Sequence, residues 1–106
     1  MNQENIFHKI VKKIIPSTIV EEDQWFLTIA DIKPQDNIHL LILPKKYYQD
    51  LADFMLHSTT EEKQRMAEKI THYTQTIPNL SIITNLGDRQ EIKYFHIHII
   101  GHEDKL

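Results

Sequence analysis

Two histidines, His96 and His98, stand two residues apart in the run Tyr94-Phe95-His96-Ile97-His98-Ile99-Ile100-Gly101. Its β-branched and aromatic composition reads as a strand. Side chains on a strand alternate between faces, so Tyr94, His96 and His98 share one face and Phe95, Ile97 and Ile99 the other. A strand built only for packing would not set two imidazoles side by side, because burying either without a partner costs free energy. Imidazole changes charge near neutral pH and also ligates metals, so proton exchange or metal binding is the chemistry this pair offers.

A sheet and its covering helices must hold that strand. Ile6, Phe7, Ile10, Val11, Ile14 and Ile15 recur at three- and four-residue steps. This spacing predicts an amphipathic helix from about Asn5 to Ile14, stopped by Pro16. Ile19-Val20 and Trp25–Ala30 read as strands joined by the acidic turn Glu21-Glu22-Asp23, and Ile38–Leu43, apolar on both faces, as a central strand ending at Pro44. Thr59 with Glu62 has the form of a capping box. Met66, Ala67, Ile70, Tyr73 and Ile77 then line one side of a long helix ending before Pro78. Leu80–Thr84 is the fourth strand, and the loop Asn85–Glu91 leads into the histidine strand. The fold class expected is α+β: an antiparallel sheet of about five strands with two helices packed on it.

The chain has 106 residues, of which 41% are hydrophobic, and suits one domain spanning residues 1–106, small enough that dimerisation would add usefully to stability. It has no cysteine, which excludes disulfides, thiolate-ligated zinc and a thiol nucleophile. The formal charge of −3, with Lys12-Lys13 and Lys45-Lys46 the only adjacent basic pairs, argues against a nucleic-acid partner. No segment reaches the roughly 18 apolar residues needed to cross a bilayer, and Met1–Asn5 does not open a signal sequence. The expected location is the cytoplasm. Neither a GxxxxGK[ST] phosphate loop nor a GxSxG elbow is present.

Four blocks in order resemble the histidine-triad (HIT) nucleotide-binding family over nearly the whole chain: Ile6–Ile10 with Ile14–Ser17, Asp31–Gln35, His39–Lys46, and Asn85–Gly87 through His96–Gly101. The resemblance implies a homodimer with one continuous sheet. It also implies a purine nucleotide or nucleoside phosphoramidate as substrate, cleaved through a nucleotidyl-histidine intermediate, with no cofactor and no metal required. The family pattern is His-φ-His-φ-His-φ-φ, with φ apolar. Aligned back from Gly101, His96 takes the nucleophilic middle slot and His98 the third, while Tyr94 stands in the first. Tyr47 likewise follows Lys45-Lys46 where many relatives carry histidine. Glu91 follows Gln90 where close relatives carry a small hydroxyl residue that assists the leaving group.

The resemblance makes Asp31 the ribose-binding carboxylate, able to accept hydrogen bonds from both sugar hydroxyls. It makes Ile6, Phe7, Ile10, Ala30 and Ile32 the walls around the base, and adds Asn85, Gly87, Gln90, Tyr47 and Tyr94 to the nucleotide contacts. Attack on phosphorus needs a neutral nitrogen aimed in line and donors waiting for the charged oxygens. His96 supplies the first if a backbone carbonyl holds the proton on its other ring nitrogen. His98 and amides near Gly87 supply donors. A phenol remains neutral near pH 7, so Tyr47 and Tyr94 would keep the shape of an imidazole pair while lowering catalytic power.

On spacing alone, the Ile and Phe residues named above are core and Asp31 is a turn residue. His39, alternating with apolar neighbours, reads as a structural histidine; His8, His57 and His72 read as surface residues, and His102 as the start of a tail. Two further readings stand beside the enzyme: a catalytically weak nucleotide sensor, and a zinc protein using His96 and His98 with a third ligand from His39, His102 or a carboxylate.

Overall fold

The computed structural model describes residues 5–103, so the outermost residues of the expected single domain lie outside the described residues. Asn5 opens the first helix, α1 (Ile6–Val11), its side chain accepting from the amides of Phe7 and His8 while the His8 ring returns a bond to the Asn5 backbone. The helix is shorter than its periodicity predicts. The chain leaves the helical path at Lys13, which has φ of 62°, so Ile14 falls beyond the helix and is exposed.

Strands β1 (Ile19–Glu22), β2 (Phe26–Ala30), β3 (Ile38–Pro44), β4 (Asn79–Ile83) and β5 (Ile97–His102) form one antiparallel sheet in the order β1-β2-β3-β5-β4. Glu21 and Glu22, expected in a turn, are paired strand residues, and the turn forms around Asp23, whose carboxylate accepts from the amides of Trp25 and Phe26. The expected pair of helices becomes three. Besides α1 and the long α3 (Thr60–Thr76), a seven-residue α2 (Leu51–His57) starts at Asp50, whose side chain caps Asp53. The Thr59/Glu62 capping box is present.

The sheet separates two apolar clusters. One holds Phe26, Ile42, Phe95, Ile97 and Ile99 against Phe54 of α2 and Met66 and Tyr73 of α3. The other holds Leu27, Ile29, Leu41, Leu43 and Tyr94 against Phe7 and Ile10 of α1. Ala67, expected on the buried side of α3, is exposed. Two charged groups of α3 are drawn inward by partners instead: Lys69 reaches Glu21 at 2.5 Å and Asp23 at 2.6 Å, and Glu62 accepts from the buried Tyr48 hydroxyl at 2.8 Å. The Lys69 ammonium and the Tyr73 hydroxyl hold the Glu21 carboxyl below its ordinary range against the opposing effect of burial.

Gly101 has a steric reason to be glycine. A Cβ there would lie 2.2 Å from the Asn79 carbonyl oxygen, so any larger residue would push β4 away from β5. Among the described residues, no helix is long and apolar enough to cross a membrane. The sheet face that α1 packs against also carries His39 and His98, and the cavity they line opens at that end.

Candidate active site

His96 and His98 reach this open end by different routes. β5 begins at Ile97, so His96 belongs to an irregular approach rather than to the paired strand expected from its composition. The facing nevertheless alternates as predicted: Tyr94 packs in the α1 cluster, Phe95, Ile97 and Ile99 in the α2–α3 cluster. The Phe95 amide donates to the Tyr48 carbonyl, and the Thr84 hydroxyl donates to the His96 carbonyl; these bonds fix the approach where ladder pairing is missing.

The His96 ring is 8% exposed and sits 2.7 Å through Nδ1 from the Tyr94 carbonyl oxygen. A carbonyl can only accept, so Nδ1 carries the proton and Nε2 presents a bare lone pair. Burial lowers the His96 pKa below the ordinary imidazole value; the Tyr94 carbonyl and the Asp31 charge oppose that effect without cancelling it. The ring is therefore neutral near pH 7. Phe7 meets it edge-on with centroids 4.8 Å apart, and His98 does so at 4.9 Å.

The register of β3 and β5 brings a third imidazole in. Leu41 pairs with His98 and His39 with Ile100, so His39 and His98 are diagonal neighbours on one face. His39 Nε2 lies 3.0 Å from His98 Nδ1 and 3.3 Å from Asp31 Oδ2. The Asp31 amide donates to the His39 carbonyl, which ties the carboxylate to the start of β3, and the Asp31 side chain also accepts from the Lys33 amide at 2.8 Å. His98 is pushed down to about 4, first by burial and then by His96 and His39 beside it, so it too is neutral.

These groups face a cavity of about 320 Å³. Of the residues singled out in the sequence, Phe7, Asp31, Asn85, Gln90, His96 and His98 line it, as do His39, read there as structural or as a third zinc ligand, and Glu91, noted as a departure from the family pattern. The others do not. Ile10 is buried in the α1 cluster, Ile6 and Ile32 are exposed, the latter by 86%, and Ala30 is half-buried in β2, so of the expected base wall only Phe7 borders the cavity. Gly87 is not part of the lining; its φ of 60° shapes the turn that carries Arg89 and Gln90.

Tyr94 and Tyr47 also lie behind the cavity wall rather than in it. Tyr94 is 1% exposed and donates its hydroxyl to the Pro44 carbonyl, and Tyr47 donates to the Lys93 carbonyl at 3.0 Å. The His8 ring stacks on Tyr47 at 4.7 Å and meets Tyr94 edge-on, so His8, expected at the surface, helps seat α1. His102, at the end of β5, pairs instead with Asp36.

Residues to which the sequence reading gave no site role complete the lining: Leu41, Gln35, Lys33, Ile92 and Arg89. Gln90 is anchored by its amide nitrogen on the Gln49 carbonyl at 2.6 Å, while its amide oxygen is buried without a partner among the described residues. That oxygen is an acceptor in want of a donor. Among the described residues, the one cluster with three candidate metal ligands is Asp31, His39 and His98.

Comparison with known proteins agrees with this geometry. The profile of the HIT domain matches residues 12–105. The chain belongs to the HIT family. An uncharacterized HIT-like protein of Rickettsia prowazekii (strain Madrid E) is 35% identical over 106 residues, covering 94% of this chain and 88% of the relative. A solved HIT family hydrolase from Clostridium thermocellum is 26% identical with a TM-score of 0.75, covering all of this chain and 96% of that one. A zinc-bound histidine triad family protein from Mycobacterium smegmatis is 26% identical with a TM-score of 0.76, covering 93% and 75%. The five-stranded antiparallel sheet with its helices is thus the HIT-like fold, and at the coarse level the chain is similar to HIT family hydrolases.

Proposed function

We propose that this HIT protein is a nucleotidyl hydrolase or transferase that cleaves a purine nucleoside phosphoramidate or related nucleotidyl phosphate through an intermediate on His96. The observation that carries the reading is the 2.7 Å contact from His96 Nδ1 to the Tyr94 carbonyl, which leaves Nε2 neutral, unprotonated and next to the cavity. In the first step the Nε2 lone pair attacks the α-phosphorus. The P–N bond to His96 forms as the bond to the leaving group breaks, and the bonding electron pair departs with the leaving nitrogen or oxygen, which takes up a proton. Water then attacks the same phosphorus, releases the nucleoside monophosphate and returns His96 to its neutral form.

The remaining groups take roles their chemistry suits. His98 faces the cavity with its outer ring nitrogen as a donor to a non-bridging phosphate oxygen. Asp31 accepts the ribose hydroxyls and Phe7 offers a ring against the base. Mass spectrometry of protein quenched during turnover of an adenosine phosphoramidate tests this. The wild type is expected to carry an added nucleotidyl mass that His96→Ala lacks, and the same mass on His96→Ala would overturn it. A weak sensor would instead bind adenosine monophosphate tightly and turn nothing over.

The zinc reading draws on the Asp31, His39 and His98 cluster and on the zinc-bound relative. It conflicts with one contact. The Gln35 amide hydrogen points at His39 Nδ1 at 3.1 Å, which puts the His39 proton on Nε2, the atom a metal would need. Stoichiometric zinc in protein purified without a nickel column would favour it all the same.

We further propose that two copies pair through β4. Among the described residues β1 and β4 are the outermost strands, but β1 is charged at Glu21 and Glu22 and irregular in register, devices that discourage pairing. β4 reads Asn79-Leu80-Ser81-Ile82-Ile83, without charge or irregularity, and exposes both isoleucines. Its location is proposed to be the cytoplasm, in keeping with a chain that has no cysteine.

A further inference from the structure

We propose that His39 is a positioning residue that couples recognition of the sugar to the phosphate-facing imidazole: its single ring proton is shared between Asp31 and His98, and a cis-diol bound at Asp31 commits that proton to His98. The proposal rests on the assignment of Asp31 to the ribose made above.

The direction of the Gln35 amide hydrogen is set by the backbone, and it meets His39 Nδ1 at 3.1 Å. That nitrogen is therefore an acceptor, and in the neutral ring the one proton sits on Nε2. Nε2–H has two acceptors within reach, His98 Nδ1 at 3.0 Å and Asp31 Oδ2 at 3.3 Å. His39 is 4% exposed, so water does not compete freely for the same proton. When His39 donates to His98 Nδ1, the His98 proton is fixed on Nε2, and His98 becomes a donor on its outer side. When His39 turns its proton to the carboxylate, His98 Nδ1 loses its donor, and among the described residues no other hydrogen bond fixes the His98 tautomer.

A carboxylate is the stronger acceptor, which offsets its longer distance. Hydroxyls of a ribose would take up its lone pairs and reduce its claim on the His39 proton. Sugar binding then sets His98 as a phosphate donor before the chemistry begins, so a missing 2′-hydroxyl costs rate as well as affinity. The coupling gives a role to a histidine placed between the sugar carboxylate and the phosphate-facing ring.

Long-range proton–nitrogen NMR of protein labelled with 15N-histidine reads both tautomers directly. In the free wild type, His39 is expected as the Nε2–H form and His98 as a mixture. Adenosine is expected to move His98 to a single Nε2–H form, and 2′-deoxyadenosine to leave the mixture. In turnover, the 2′-deoxy phosphoramidate is expected to show a kcat lower by about tenfold in addition to any change in KM. His39→Leu is expected to lose the adenosine response of His98, and His39→Gln, which keeps a donor near the Nε2 position, to restore part of the rate.

A His39 proton found on Nδ1 in the wild type overturns the proposal, and that measurement needs no variant to fold. If adenosine binds in a manner sensitive to Asp31→Ala but leaves the His98 tautomer unchanged, the coupling fails while the nucleotide reading stands. If adenosine does not bind, both fail.

Discussion

Replacing Tyr94 by phenylalanine separates the two contributions that residue makes. Its main-chain carbonyl holds the His96 proton, and its hydroxyl donates to the Pro44 carbonyl on β3. The ring lies in the α1 cluster, edge-on to Phe7 and to Tyr47 at 6.2 and 5.3 Å. Tyr94→Phe keeps the ring, its packing and the carbonyl, and deletes only the buried hydroxyl. The Pro44 carbonyl then loses a donor that water cannot replace, a change worth about 1–2 kcal/mol. For a domain of this size that corresponds to a Tm lower by roughly 5–15 °C. Because burial pushes the Tyr94 hydroxyl up from its ordinary pKa, it is a neutral donor throughout the physiological range and takes no part in proton transfer. Turnover should therefore remain within about threefold of wild type, a barrier change of less than about 0.7 kcal/mol. Thermal unfolding and steady-state hydrolysis of a fluorogenic adenosine phosphoramidate measure the two effects on one preparation. A hundredfold loss of kcat/KM in a well-folded variant would refute the argument, since it would mean that the phenol itself acts on the substrate.

Two other outcomes follow from the same groups. Both site histidines are neutral in the fold and titrate below the free imidazole, His98 at about 4. Between that value and about 6.5 the unfolded chain binds more protons than the folded one, so stability should fall as pH drops through this window and be level above it. The acid limb of kcat/KM should likewise lie below the ordinary imidazole range; a midpoint at about 6.5 in a pH–rate profile would contradict the burial argument. At the sheet edge, Ile82→Lys should convert a dimer into a monomer in sedimentation velocity without loss of secondary structure, and a wild type that sediments as a monomer at micromolar concentration would remove the β4 interface.

The parts of the fold that were legible in the sequence are those fixed by local signals. The Thr59/Glu62 capping box marked the start of α3, and Pro78 marked its end to within a residue. The apolar runs marked the strands that β2, β3 and β5 became. α2 was missed because its seven residues are too short for a period to show, and its start signal is an aspartate before an ordinary run. The end of α1 was misplaced because the left-handed residue that stops it is Lys13, where no glycine gives warning. Ala67 was assigned to the core because the periodic reading counts side chains by polarity. Lys69, by contrast, is drawn in by Glu21 and Asp23, more than forty residues earlier, a pairing that no local window contains.

The site divides along the same line. His96 and His98 stand out by spacing, and the alternation that exposed them survives even where the ladder does not. His39 does not stand out, since a lone histidine among apolar neighbours looks like any satisfied core residue. It acquires a role only through the register of β3 and β5, which sets it diagonally across from a residue 59 positions later. The backbone carbonyl that the sequence reading asked for beside His96 belongs to Tyr94 itself. The Tyr94 side chain packs away from the cavity, and what the neighbouring His96 ring takes from that residue is a carbonyl that every residue type possesses. A departure from a side-chain pattern weakens a site only when the side chain, rather than the backbone beneath it, makes the contact. At position 94 the backbone makes the contact with His96, so the Nδ1–H tautomer that the proposed attack requires is held without any contribution from the Tyr94 side chain.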